Sequence, residues 1–87
     1  MFSHAGTLTF SYESSERASV VAASVEREVG EIDDERSRTT LELADRRLTI
    51  TVEARDLVAL RAALNTWNGL VSVAERTTAL AQTARNP

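Results

Sequence analysis

RDLVALRAALNTWNGLVSV, residues 55–73, keeps one character from end to end, and that character is helical. Leu57, Leu60, Leu64, Trp67 and Val71 recur at intervals of three and four, which places them along one side of a helix. Asp56 stands just before the run as an N-cap, and the pattern continues to about Ala84 before Asn-Pro, so a helix is predicted over 56–84. Counted in sevens, four apolar rows emerge: Leu57, Leu64, Val71 and Thr78; Leu60, Trp67, Ala74 and Ala81; Ala59, Thr66, Val73 and Leu80; Ala63, Leu70, Thr77 and Ala84. At ~100° per residue they cover an arc of roughly 160°, where a surface helix needs only ~100°. Such a helix reaches ~42 Å, whereas a seven-residue strand spans only ~23 Å. Part of its apolar face must therefore overhang any sheet it covers, and overhanging apolar surface calls for another protein.

Upstream, RTTLELA (38–44) sets Leu41 and Leu43 on one side, and RLTITVEA (47–54) does the same for Leu48, Ile50, Val52 and Ala54. Asp45 and Arg46 lie between them, so strands over 37–44 and 47–54 read as a hairpin. GTLTFSY (6–12) alternates Leu8, Phe10 and Tyr12 with hydroxyl residues and reads as a strand over 6–12. Between these strands, Ser14 or Ser15 offers an N-cap for a helix over 15–29, with Ala18, Val21, Ala22, Val25 and Val29 inward and Gly30 as its stop. EIDDERS (31–37) is a polar connection. With one apolar face per strand, the expected fold is α+β: a three-stranded antiparallel sheet with two helices packed on one face, order β-α-β-β-α. It forms one domain over 1–87.

A chain of 87 residues buries only about 60–65 % of its unfolded surface, so its core is marginal. Small scaffolds compensate with disulfides, a metal or a partner. The chain has no cysteine and a single histidine, His4, which leaves the partner. The net charge is −3 and every one of the ten basic residues is arginine, so no general electrostatic pull on nucleic acid is expected. No apolar run approaches the ~20 residues that span a bilayer, and the N-terminus lacks the pattern of a signal peptide. A cytoplasmic protein without membrane contact is the expectation.

Catalysis finds little support. With no cysteine or lysine, the nucleophiles are hydroxyls and carboxylates, and no base is placed to activate them. GEIDDE (30–35) gathers Glu31, Asp33, Asp34 and Glu35 but lacks the alternation of a calcium loop, so a solvated connection is the simpler reading. No cofactor is implied. Small RNA-binding folds share the element order, but the GxxG clamp of a KH domain is missing, and Phe10 and Tyr12 share a face with Leu8 instead of standing free for base stacking. Arg36, Arg38, Arg46 and Arg47 are candidate phosphate contacts, or simply charged turn and strand-edge residues. Trp67 shares a row with Leu60 and Ala74 and anchors either the domain's own core or an interface. Gly69, on the polar face, leaves room for a close neighbour.

EARDLVALRAALNTWNGL, residues 53–70, resembles the signature of the Pcc family, the smallest subunit of the KEOPS complex. In that family an acidic cap opens a helix reading roughly Asp-x-x-x-Leu-Arg-Ala-x-x-Asn-Ser. Asp56, Leu60, Arg61, Ala62 and Asn65 match, with Thr66 where serine is usual, while Asn68 and Gly69 replace an arginine-containing sequence. SSERASVVAASVEREVGEIDDERSR (14–38) is similar, more loosely, to the family's first helix and the approach to its second strand.

The resemblance implies an accessory, non-catalytic role. KEOPS transfers a threonylcarbamoyl group to adenosine 37 of tRNA, and the chemistry belongs to its transferase subunit. The Pcc subunit looks like a dimerising platform that docks the transferase subunit and helps hold tRNA. Archaeal complexes can also contain a diverged Pcc paralogue, so a homodimer and a heterodimer with that paralogue are both open. The partner-binding residues expected on the helix are Leu60, Ala63, Leu64, Asn65, Trp67, Leu70 and Val71, with Arg36, Arg38, Arg46 and Arg47 as candidate tRNA contacts. Rival readings are a free-standing small RNA-binding domain and a homodimeric interaction module unrelated to tRNA.

Overall fold

A computed structural model of the chain describes residues 2–85, with side chains through Ala79. Leu80, Ala81 and Ala84, which close three of the helix rows, lie outside the described side chains. The elements are β1 (His4–Ser11), α1 (Ser15–Glu26), α2 (Val29–Ile32), β2 (Ser37–Ala44), β3 (Arg47–Ala54) and α3 (Leu57–Arg85). The strands form one antiparallel sheet in the order β1-β3-β2. β1, β2 and β3 with α1 and α3 give the α+β architecture expected from the sequence.

β3 takes the centre because it can be buried along its length. Leu48, Ile50, Val52 and Ala54 are fully buried, one at every second position, while Thr49, Thr51 and Glu53 point to the other face. Its neighbours are registered so that like meets like. Phe10 and Leu43 flank Leu48, Leu8 and Leu41 flank Ile50, and Gly6 and Thr39 flank Val52. These rows make the floor of the core; Val21 and Val25 of α1 and Leu60, Ala63, Trp67 and Val71 of α3 make its roof. The opposite face carries Thr7, Thr9, Thr40, Thr49 and Thr51, none of them buried. It has no apolar cover, which fits an antiparallel sheet with one wet face.

Both main helices begin on side-chain caps. Ser14 Oγ accepts the Arg17 N–H at 3.1 Å, and Asp56 Oδ1 accepts the Ala59 N–H at 2.7 Å. α3 starts at the end of the sheet where Ala54 lies. It passes Leu60 and Leu64 over Gly6, bonds Trp67 to Thr39, and brings Glu75 beside Tyr12. Twenty-nine residues at ~1.5 Å exceed eight residues of strand at ~3.3 Å, so α3 continues beyond the sheet. The molecule is accordingly elongated, 50 Å along its longest axis.

Three boundaries differ from the sequence reading. β1 begins at His4, not Gly6, because the Ser3 N–H reaches the Ala54 carbonyl at 3.1 Å and draws the N-terminus onto β3. Tyr12 lies outside that strand, although its N–H still donates to the Arg46 carbonyl at 2.9 Å. α1 ends at Glu26 and Gly30 is not its stop. The chain tightens through a Glu28 N–H bond to the Val25 carbonyl, then makes the single turn α2. Gly30 sits inside that turn without a left-handed φ; the one positive φ among the described non-glycine residues is Asp45 at 56°, in the β2–β3 turn.

Candidate interaction surfaces

The four-row arc of α3 divides once the sheet is in place. Trp67 and Val71 are fully buried, Ala63 and Leu60 nearly so, and Leu64 and Leu70 are half-buried at the margins. All six pack against the chain's own core, whereas Asn65, the seventh residue singled out from sequence, is exposed. A partner approaching the free chain therefore meets Asn65 and the edges of Leu64 and Leu70. The inner four form the floor beneath them.

The surplus surface lies on the outer side of α3. Val58 is 71 % exposed, Val73 51 % and Leu57 47 %, while Ala62, Thr66 and Gly69 lie open between them. Ala62, Thr66, Gly69 and Val73 follow each other at spacings of four, three and four, so they share one seam. Added bulk at Gly69 would meet nothing within 4 Å. Thr66 spends its hydroxyl on the Ala62 carbonyl at 2.9 Å, which leaves its methyl to the seam. A shallow groove of about 150 Å³ adjoins it, floored by Ala59, Ala62 and Ala63 and rimmed by Ile32 and Arg36. Small side chains, a glycine and a groove are what a closely packed helix requires.

A second apolar surface lies where α1 meets β2. Val20 is 45 % exposed and Leu43 41 %. Between the two elements runs a groove of about 200 Å³ lined by Ala22, Ala23, Leu41 and Leu43, with Glu26 at its rim. β2 and β1 are both edge strands.

The four arginines do not make one patch. Arg38 and Arg47 share the open face of the sheet but stand six residues apart in register, about 20 Å. Arg38 lies over the Phe2 ring, 5.3 Å from its centroid. Arg36 pairs with Asp56 at 3.6 Å and Arg46 with its neighbour Asp45 at 3.8 Å. The amide of Ala59 holds the Asp56 carboxyl below its ordinary range, with Arg36 adding to that effect.

A polar notch of about 260 Å³ at the hairpin end joins residues that sequence reading left apart: Tyr12, Glu13, Arg17 and Glu75. Burial pushes the Tyr12 phenol up, the Glu75 carboxylate adds to the rise, and Arg17 opposes it. The Tyr12 hydroxyl and Arg17 Nε are buried without hydrogen-bond partners. No signal in the sequence links Glu75 to Tyr12, because the two are brought together only by the length of α3. Phe10 and Tyr12 pack against the core and are not presented on the open face. Among the described residues no three His, Cys, Asp or Glu side chains converge to hold a metal ion, and no helix is long and apolar enough to cross a membrane.

Comparison with known families adds one finding. The family model described as transcription factor Pcc1 matches residues 5–79, from the second residue of β1 to the end of the described side chains. No curated protein matches the chain. The matched segment holds the whole sheet, α1, α2 and most of α3, and with it the surfaces just described. The chain belongs to the Pcc1 family, whose members are subunits of the KEOPS complex of tRNA modification.

Proposed function

We infer that this chain is a non-catalytic, dimerising scaffold subunit of KEOPS in the cytoplasm. It supports threonylcarbamoyl transfer to adenosine 37 of tRNA by docking the transferase subunit and by assisting tRNA binding. The observation that carries this reading is the outer face of α3, where Val58, Ala62, Thr66, Gly69 and Val73 form an apolar, small-residue seam on a helix longer than its sheet. A solvated helix has no use for such a face; a partner helix does. The seam and the Ala59–Ala62–Ala63 groove would receive the transferase subunit, with Asn65 and the margins of Leu64 and Leu70 at its rim. Leu60, Ala63, Trp67 and Val71 hold that rim in place from beneath.

The arginines support an auxiliary role toward tRNA. A net charge of −3, with Arg36 and Arg38 at one end of the sheet and Arg46 and Arg47 at the other, gives no continuous phosphate track on one copy. Contacts of this kind become effective when an assembly sets several ends side by side.

The experiment is capture of partners by the tagged chain from its native host, read by mass spectrometry, alongside Val73→Arg. Recovery of a transferase-like subunit by the unaltered chain, weakened by Val73→Arg at unchanged thermal stability, is the expected result. Absence of any such subunit from the captured set sinks the scaffold reading. Titration of tRNA onto the isolated chain at two salt concentrations checks the auxiliary role, for which weak binding is expected; tight, steeply salt-dependent binding would instead mark a free-standing RNA-binding domain.

A further inference from the structure

The free edge of β2 is built to pair with a second copy of itself, and its backbone says where. The Arg55 N–H donates to the Arg36 carbonyl, and Arg36 and Arg55 continue the register that matches Ser37 with Ala54. Alternation along an antiparallel ladder then turns the N–H and C=O groups of Arg38, Thr40, Glu42 and Ala44 toward β3, and those of Ser37, Thr39, Leu41 and Leu43 outward. Ser37 is already satisfied: its N–H donates to Asp34 Oδ1 at 3.1 Å and its carbonyl accepts the Asp34 N–H at 3.1 Å. Asp34 thus closes one end of the edge and leaves Thr39, Leu41 and Leu43 open.

A twofold pairing must match outward residues with outward residues. One solution centres on Thr40 opposite its own copy and another on Leu41. The side chains separate them. Centred on Thr40, Thr39 exchanges hydrogen bonds with Leu41 of the second copy, and Arg38 stands opposite Glu42, twice by symmetry. These are non-hydrogen-bonded positions, where opposed side chains come closest. Centred on Leu41, Arg38 would face an alanine and the two Glu42 carboxylates would crowd the axis. Both Arg38 and Glu42 are exposed on the open face, so each is free to reach across, Arg38 by leaving the Phe2 ring.

The β1 edge offers no comparable match. Its outward residues are Ala5, Thr7, Thr9 and Ser11, without charge, and none of the exposed large apolar residues belongs to β1. Beside β2, by contrast, Leu43 and Val20 flank the α1–β2 groove, and a second copy would bring its own Ser37 end and α2 turn toward them.

We propose that two copies of this chain pair antiparallel through β2, centred on Thr40, with Arg38 of each copy opposite Glu42 of the other, to form a continuous six-stranded sheet. The inference deepens the dimerising part of the function read above and assigns it a surface. That surface is separate from the outer seam of α3 that would dock the transferase subunit.

The test uses the isolated full chain, so its outcome is independent of whether a transferase subunit is captured. Because the chain has no cysteine, Thr40→Cys introduces a single thiol on the proposed axis. Under mild oxidation it should convert to a covalent dimer, while Thr9→Cys, on the β1 edge, should not. By sedimentation, Glu42→Arg should weaken association at least tenfold by setting two arginines opposite each other, and the exchange Arg38→Glu with Glu42→Arg should restore it. A Thr40→Cys chain that stays uncrosslinked overturns the proposal, as does association indifferent to Glu42→Arg or not restored by the exchange. A chain that is monomeric at all accessible concentrations overturns it too.

Discussion

The indole N–H of Trp67 donates to Thr39 Oγ1 at 3.0 Å inside the core, with Trp67 fully buried and Thr39 7 % exposed. This bond ties α3 to β2, elements that are otherwise linked only through β3 and the turn before the helix. It also explains a threonine on the inward face of β2, where Leu41 and Leu43 follow: a tryptophan can be buried in full only if its N–H finds an acceptor. Trp67→Phe should cost about 1–3 kcal/mol by stranding the Thr39 hydroxyl, and Thr39→Val a similar amount by stranding the indole. Trp67→Ala should cost about 3–5 kcal/mol, against a total of roughly 5–10 kcal/mol for a domain of this size. Urea titration of the three variants checks the order. Equal stability of Trp67→Phe and the parent would show that the bond contributes nothing.

The architecture was legible because its two periods are clean. Alternation in RLTITVEA and RTTLELA marks strands, the three-and-four spacing after Asp56 marks a helix, and an acidic cap separates them. Which surface of α3 stays free was less legible. The arc of apolar rows is continuous in sequence, but Trp67 and Val71 fall under the sheet while Val73 and Val58 fall outside it. That division depends on how α3 is rolled over the strands, and Gly6 beneath Leu60 and Leu64 is the contact that fixes the roll. The end of α1 was misread for a different reason. Gly30 looked like a stop, yet the chain had already tightened at Glu28 through a local backbone bond that no side chain announces.

Asp56 makes stability depend on acid. The Ala59 amide, and after it Arg36, lowers its pKa in the folded chain below the ordinary value near ~3.9. A depressed folded pKa gives a contribution that is complete above the unfolded value and lost as pH falls through the folded one. Asp56→Asn keeps a capping oxygen but removes the titration. Thermal melts of the parent and Asp56→Asn should therefore converge as pH drops below about 4. Asp56→Ala should be the least stable of the three at neutral pH.

Tyr12 should act at the opposite end of the pH scale. Its phenol is raised by burial and by Glu75, so the folded chain holds the proton more tightly than the unfolded one. A raised folded pKa gives stability that is present below the unfolded value, near ~10, and lost as pH rises from there. The hydroxyl has no hydrogen-bond partner, so its removal costs little. Tyr12→Phe should melt within a few degrees of the parent at pH 7 and lose less stability between pH 9 and 11. An unchanged alkaline profile would mean that the phenol is not protected as its setting requires.

Gly6 is needed for space. A Cβ added there would lie 2.9 Å from Leu64 Cδ1 and 3.5 Å from Leu60 Cδ1, so α3 approaches β1 more closely than any side chain allows. The nearest atom is the end of a flexible side chain that is only half-buried, and it can swing aside for a single methyl. Gly6→Ala should thus stay within about 1 kcal/mol of the parent, helped by the smaller entropy of its unfolded chain. Gly6→Val has no such escape and should lose about 1–3 kcal/mol. If Leu64 is the obstacle, the double variant Gly6→Val with Leu64→Ala should be more stable than the sum of the single losses, by on the order of 1 kcal/mol. Strict additivity in chemical denaturation would place the clash elsewhere and remove Leu64 from the account of how α3 is seated.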